Sequence, residues 1–219
     1  MKSKTIAQTI FDDGNEYVDY DFDARKNRRI NKGLKAMDIN ISRKNLLDIK
    51  KILDKNDITF WLIYGTLLGA VRDKGFIEWD SDSDIGIYSY QKSKFVRSIP
   101  EIILNGFSLI RTSYPDDLVT FMRDDEYIDI GIFRKELDDL RIPYYVYQDN
   151  REYLPSFDNL KNYQFLGDNF LVPADYENLL NRWYGNSWKK KRRNFPAFTY
   201  KTSLFTKIKR GIKSYFIDD

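Results

Sequence analysis

The sequence predicts an α+β domain with a mixed β-sheet and flanking helices, and three features point to it. Strand-like runs at 58–64 and 85–88 lie between segments of helical periodicity. A second group of strand-like runs, at 107–112, 118–123 and 127–133, follows at hairpin spacing. The 219-residue chain is 42% hydrophobic and 16% aromatic, enough for one core, and no repeat or Gly/Ser/Pro linker divides it.

Each element has its own signal. Residues 1–41 are polar and basic with weak periodicity, so they read as a loosely ordered arm. Ser42 reads as an N-cap, after which Leu46, Leu47, Ile49, Ile52 and Leu53 keep helical spacing up to Asn56. Residues 58–64 are β-branched and aromatic, a buried strand that Gly65-Thr66 breaks. A short helix at 67–72, a turn at Lys74-Gly75 and a loop at 76–80 follow. The strand 85–88 is entered through aspartates, and 91–105 is helical in pattern despite Pro100. After the three later strands, 144–147 reads as an edge strand and 165–172 as extended. Pro173 suits the first position of a helix that runs to about Tyr184 and ends at Gly185-Asn186.

The chain contains no cysteine and no histidine. That excludes thiolate nucleophiles, disulfides, Cys/His zinc sites and imidazole bases. Catalysis here must use carboxylates, Lys, Arg, Tyr, hydroxyls or a metal held by oxygen, and hard cations such as Mg²⁺ suit such ligands.

Asp80, Asp82 and Asp84 alternate with Trp79, Ser81 and Ser83. At the start of a strand they would share one face, where like charges repel unless a cation neutralises them. Asp129 lies within the apolar run YIDIGIF, where an unpaired carboxylate is costly. It becomes sensible as a further ligand beside the strand 85–88. A calcium loop fails as an alternative, because its sixth position is Ile85 and its twelfth Gln91. In front of the aspartates runs Gly65-Thr66-Leu67-Leu68-Gly69-Ala70-Val71-Arg72. A strand feeding a helix through Gly-Thr offers backbone N–H groups to phosphate, with the Thr66 hydroxyl and Arg72 as further donors.

The run WLIYGTLLGAVRDKGFIEWDSDSDIGIY resembles the signature of the LicD family of phosphorylcholine transferases and fukutin-type proteins. A weaker similarity extends through YIDIGIF to FLVPADYENLLNRWYGNSW. The resemblance implies a nucleotidyltransferase-like fold. It implies transfer of phosphocholine or a polyol phosphate from a CDP-activated donor to a sugar hydroxyl of a capsule, lipopolysaccharide or teichoic-acid glycan. By position, Asp82 and Asp84 match the metal-binding pair, Asp80 the preceding Asp and Asp129 a later carboxylate. Glu78 stands where the family has Pro, Ser81 where it often has Asp, and Ser83 where it has an apolar residue.

On this reading Asp82, Asp84 and Asp129 hold Mg²⁺ or Mn²⁺, Gly65, Thr66 and Arg72 hold phosphate, and Asp129 or Asp80 is the base. Two rivals remain: transfer of a nucleoside monophosphate to nucleic acid or protein, and a non-catalytic binding protein of the same fold.

The charge is divided. Residues 187–219 carry +8 and the rest −5. The expected organisation is an arm (1–41), a catalytic domain (42–188) and a basic extension (189–219). In the extension, Leu204, Phe205, Ile208, Ile212, Tyr215 and Phe216 fall on one helical face. Two readings stay open for it, binding to an anionic membrane or docking on the domain. The body is acidic and the tail carries no nucleic-acid motif, which argues against nucleic acid. With no signal peptide or spanning run legible, the expected place is the cytoplasm, either soluble or peripheral at the inner membrane face.

Overall fold

The computed structural model describes residues 17–18, 36–113, 117–147, 150–153 and 157–192. The amphipathic segment at 203–217 lies outside them.

Helix α1 (Ile39–Lys55) is capped by Asp38 rather than Ser42. The Asp38 carboxylate accepts from the N–H groups of Asn40 and Ile41 at 2.9 and 3.1 Å. Ser42 sits one turn further in, with its own N–H on the Asp38 carbonyl. Met37 is buried in the core, so the folded unit reaches back past the expected boundary at Ser42. At the other end Trp188 is buried.

Strand β2 (Phe60–Leu62) leads directly into α2 (Tyr64–Leu68), which continues as a π-helical turn over Gly69–Asp73. The break expected at Gly65-Thr66 therefore falls earlier. Tyr64 itself makes it, with φ 44°, a left-handed conformation costing an aromatic residue about 1–3 kcal/mol. Ring contacts with Trp183 and Tyr147, at 4.8 and 6.1 Å between centroids, hold it there.

Strand β3 (Ser83–Tyr88) passes through a 3₁₀ turn at Ser89–Gln91 into α3 (Lys92–Leu104), which retains Pro100. Then come β4 (Ser108–Ser113), β5 (Leu118–Arg123), β6 (Glu126–Leu137), β7 (Pro143–Tyr147) and β8 (Asn150–Tyr153). With β1 (Tyr17–Val18) they form one sheet in the order β1-β4-β5-β6-β3-β2, extended from β6 through β7 to β8. The β3–β6 pair is parallel and the other pairs are antiparallel. The α+β fold with a mixed sheet is thus as the sequence predicts.

Two expectations are corrected. The segment 144–147 is not an edge, because β8 pairs beyond β7. The segment 165–172 is not one strand but the turn and second arm of a hairpin, β9 (Leu160–Phe165) and β10 (Asp168–Pro173). Leu166 and Gly167 both take positive φ, 55° and 84°, which matches the twist a two-residue hairpin needs. Pro173 then ends β10, and α4 (Tyr176–Tyr184) starts after Asp175.

The pleat gives the sheet two apolar faces. On one, Phe121 meets Phe95 of α3 edge-on, and α1 lays the fully buried Leu46, Ile49 and Leu53 beside it. On the other, Trp61, Phe133, Phe157, Tyr88 and Tyr147 stack with centroids 4.5–5.4 Å apart. Gly86 and Gly131 make room for these rings. A Cβ on Gly86 would come within 2.8 Å of Trp61, and one on Gly131 within 2.9 Å of Tyr147.

Candidate active site

The aromatic face changes character toward the start of β3. Parallel pairing sets Asp84 directly opposite Asp129, and β5 adds Thr120 opposite Asp129. These three side chains therefore form a row on one face. Asp82 joins them from the loop, because β3 begins only at Ser83. The expectation that Asp80, Asp82 and Asp84 alternate along one strand is thus corrected. Among the described residues, one carboxylate oxygen each from Asp82, Asp84 and Asp129 lies within 4.8 Å of the others.

Asp80 takes a different place. Its carboxylate packs on Gly65, where any Cβ would overlap it. It accepts the Ser81 N–H at 3.0 Å and shares a side-chain hydrogen bond with Asp82. The segment before α1 fixes this loop, since the Met37 N–H donates to the Asp80 carbonyl at 2.7 Å. The next N–H, of Asp38, donates to Glu126 of β6 at 2.7 Å. One short stretch thus ties the aspartate loop to the strand that carries Asp129.

The glycine turn acts on the same carboxylates. The Gly65 N–H donates to the Asp84 carboxylate. The Thr66 hydroxyl oxygen accepts the Asp84 N–H at 2.8 Å, in a fully buried position. Arg72, expected to meet phosphate, donates from Nε and Nη2 to both oxygens of Asp73 at 2.8 and 2.7 Å. Its side chain is 4% exposed, and its charge partly offsets the raised pKa of Asp80. In this structure Gly65 and Thr66 position Asp84, and Arg72 faces Asp73.

The two serines of the aspartate block now separate. The Ser81 hydroxyl lies 3.4 Å from both Asp82 Oδ1 and the Tyr127 hydroxyl, so it belongs to the site. Ser83 points to the other face, opposite Ile128 in register, and its buried Oγ has no hydrogen-bond partner. It occupies a core position, which is why an apolar residue is expected there.

Electrostatics follow from this crowding. Burial, then the charges of Asp82, Asp129 and Asp80, push the Asp84 carboxyl well above the usual carboxylate range, against the pull of the Gly65 N–H. Burial also raises Asp80, against the hydrogen bonds from Ser81 and Asp82. Burial and the Asp82 charge drive the Tyr127 phenol upward. A divalent cation would reverse this repulsion, and an all-oxygen carboxylate set suits Mg²⁺ or Mn²⁺. The residues present fit such an ion.

Sequence reasoning missed three participants. Thr120 donates to Asp129 Oδ1 at 2.5 Å. Arg111 approaches Asp129 Oδ2 at 3.4 Å and donates to the Thr120 hydroxyl at 3.3 Å. Tyr127 reaches Ser81 as described. Arg111 and Thr120 carried a faint signal, as polar residues within strand-like runs.

Residues 57–112 match the family model described as the LicD/FKTN/FKRP nucleotidyltransferase domain. The chain is 30% identical over 167 residues to uncharacterized protein RT0683 of Rickettsia typhi, covering 76% of the chain and 52% of that protein. It is 28% identical over 151 residues to uncharacterized protein RP689 of Rickettsia prowazekii, covering 65% and 53%. Over 53 residues it is 40% identical to the lipopolysaccharide cholinephosphotransferase LicD of Haemophilus influenzae, covering 24% and 20%. The chain spans about half the length of the first two relatives. Among solved structures, the lincosamide adenylyltransferase LnuA superposes with a TM-score of 0.45 at 16% identity, covering 63% of this chain and 83% of that one. The antibiotic-resistance factor ANT(2'')-Ia gives 0.47 at 11% identity, covering 73% and 78%.

Proposed function

From the premise that this chain belongs to the LicD family, we propose that it is a metal-dependent transferase. It moves a phospho-alcohol, phosphocholine or a polyol phosphate, from a CDP-activated donor to a sugar hydroxyl of a cell-surface glycan. The observation that carries this reading is the convergence of Asp82, Asp84 and Asp129, each with an oxygen within 4.8 Å of the others. The likeness to a cholinephosphotransferase over 53 residues supports the choice of transferred group.

In this mechanism Asp82, Asp84 and Asp129 would hold Mg²⁺ or Mn²⁺, which when bound would neutralise charge on the donor diphosphate. Thr120 fixes one oxygen of Asp129, and Arg111 approaches the other at 3.4 Å. Gly65 and Thr66 fix the carboxylate and the backbone of Asp84. The acceptor hydroxyl oxygen attacks the phosphorus bearing the alcohol. The new P–O bond forms as the bond to CMP breaks, and the hydroxyl proton passes to a carboxylate, Asp80 or Asp129.

The basic extension has a place in this reading. Lys191 Nζ lies 3.6 Å from Glu78, on the loop just before the aspartates, and Lys189 pairs with Glu177 at 3.0 Å. An anionic membrane bearing a lipid-linked acceptor at the cytoplasmic face would then be presented near the site. No helix among the described residues is long and apolar enough to cross a membrane.

The test is CMP release from CDP-choline, CDP-ribitol and CDP-glycerol with Mg²⁺, run beside nucleotide transfer from NTPs. Mg²⁺-dependent CMP release from one of the three is expected. Nucleotide transfer without CMP release would replace this reading with nucleotidylation.

A further inference from the structure

Arg111 reaches the site through an irregularity in β4. Leu109 pairs with Phe121 and Arg111 with Thr120, so Ile110 is the extra residue of a β-bulge. In regular pairing, Ile110 would face Thr120 and Arg111 would face Val119. Val119 is buried on the helix-covered side, where a guanidinium would be costly. The bulge rotates Arg111 onto the other face, at the end of a row that runs Arg111, Thr120, Asp129, Asp84 across four strands.

The guanidinium is placed but not saturated. Nε reaches the Thr120 hydroxyl at 3.3 Å, and Nη2 reaches Asp129 Oδ2 at 3.4 Å. The side chain keeps 25% exposure beside Asp129, itself 17% exposed. Arg72 contrasts on each count, with two short bonds to Asp73 and 4% exposure. A fork of N–H donors flanking a carboxylate cluster matches an oxyanion held on the same metal.

We propose that Arg111 is a phosphate-binding residue of this site and takes an oxygen of the donor diphosphate on the side of Asp129 away from Asp84. The inference rests on the transferase reading, but its test needs no knowledge of the transferred alcohol.

The full chain and its Arg111→Met and Arg111→Lys variants are titrated by calorimetry with inorganic pyrophosphate in saturating Mg²⁺. Binding of Mg²⁺ alone is followed in parallel by thermal shift. Arg111→Met is expected to weaken pyrophosphate binding about 10- to 100-fold, with Arg111→Lys between it and wild type. Mg²⁺ alone should bind Arg111→Met at least as tightly as wild type, since a competing cation has been removed, and should bind Arg111→Lys about as wild type does, since the charge is kept. Unchanged pyrophosphate binding in Arg111→Met, or no binding by the wild type, would overturn the inference. Equal losses of Mg²⁺ and pyrophosphate binding in both variants would instead make Arg111 a structural partner of Asp129. Failure of the CDP-donor assay with the pyrophosphate result intact would sink the donor assignment and leave Arg111 as an oxyanion site.

Discussion

The same two strands, β3 and β6, build two opposite environments a few residues apart. At their start, Asp84 and Asp129 stand side by side with Asp82, and like charges crowd into a half-buried place. Two residues later Gly86 pairs with Gly131, and Trp61, Phe133 and Tyr147 close over them. The first region carries electrostatic repulsion, and the second supplies the packing that keeps both strands in register. A site that concentrates negative charge needs a rigid apolar neighbour, because its own side chains would otherwise separate.

Removing the charge should give the largest effect. Asp84→Asn is expected to reduce transfer on the order of 1,000-fold, the several kcal/mol that a catalytic metal supplies. The same variant should melt higher than wild type in EDTA, because the repulsion is gone, and should no longer gain stability from Mg²⁺. Wild-type activity, or a lower melting point in EDTA, would break the contrast.

The aromatic region should fail in the opposite way. Trp61→Ala removes a fully buried ring and should destabilise the fold by about 3–5 kcal/mol in urea unfolding. Where folded protein remains, its Mg²⁺ affinity should be close to wild type. A specific loss of Mg²⁺ affinity at unchanged stability would show that the two regions are not separable.

A pH series sharpens the comparison. The Asp84 pKa is raised on folding, by burial first and then by its acidic neighbours. Its favourable contribution is therefore full below the unfolded value of about 3.9 and is lost as pH rises through the folded value. Metal-free protein should lose stability from this source toward neutral pH, and the Mg²⁺-induced rise in melting temperature should grow with pH. Asp48 on α1 has the reverse sign. Burial raises it, but the hydrogen bond and charge of Arg123, at 2.7 Å, outweigh that and lower it. Its contribution is present above the unfolded pKa and lost as pH falls through the folded one. Asp48→Asn should flatten the acid limb and leave the Mg²⁺ response unchanged.

The smallest effect belongs to Ser83. Its hydroxyl is buried without a hydrogen-bond partner on the face opposite Asp84. Ser83→Ala should change stability by less than about 1 kcal/mol, in the stabilising direction, without altering Mg²⁺ binding. A loss of Mg²⁺ binding would move Ser83 into the site.

Much of this was legible in the residues themselves. Alternation and periodicity reveal the strands and helices, because each follows from local geometry. The absence of Cys and His, with Asp80, Asp82, Asp84 and Asp129 in apolar surroundings, already points to an oxygen-ligand cation site. What tertiary structure alone decided is which of these groups meet. Parallel pairing put Asp129 beside Asp84, whereas the turn at Tyr64 left Asp80 packed on Gly65. Arg72 was drawn to its neighbour Asp73, and a bulge at Ile110 brought Arg111 to Asp129 instead. Register and bulges arise from contacts between segments far apart in the chain, so a sequence read one stretch at a time singles out the carboxylates but not the arginine that faces them.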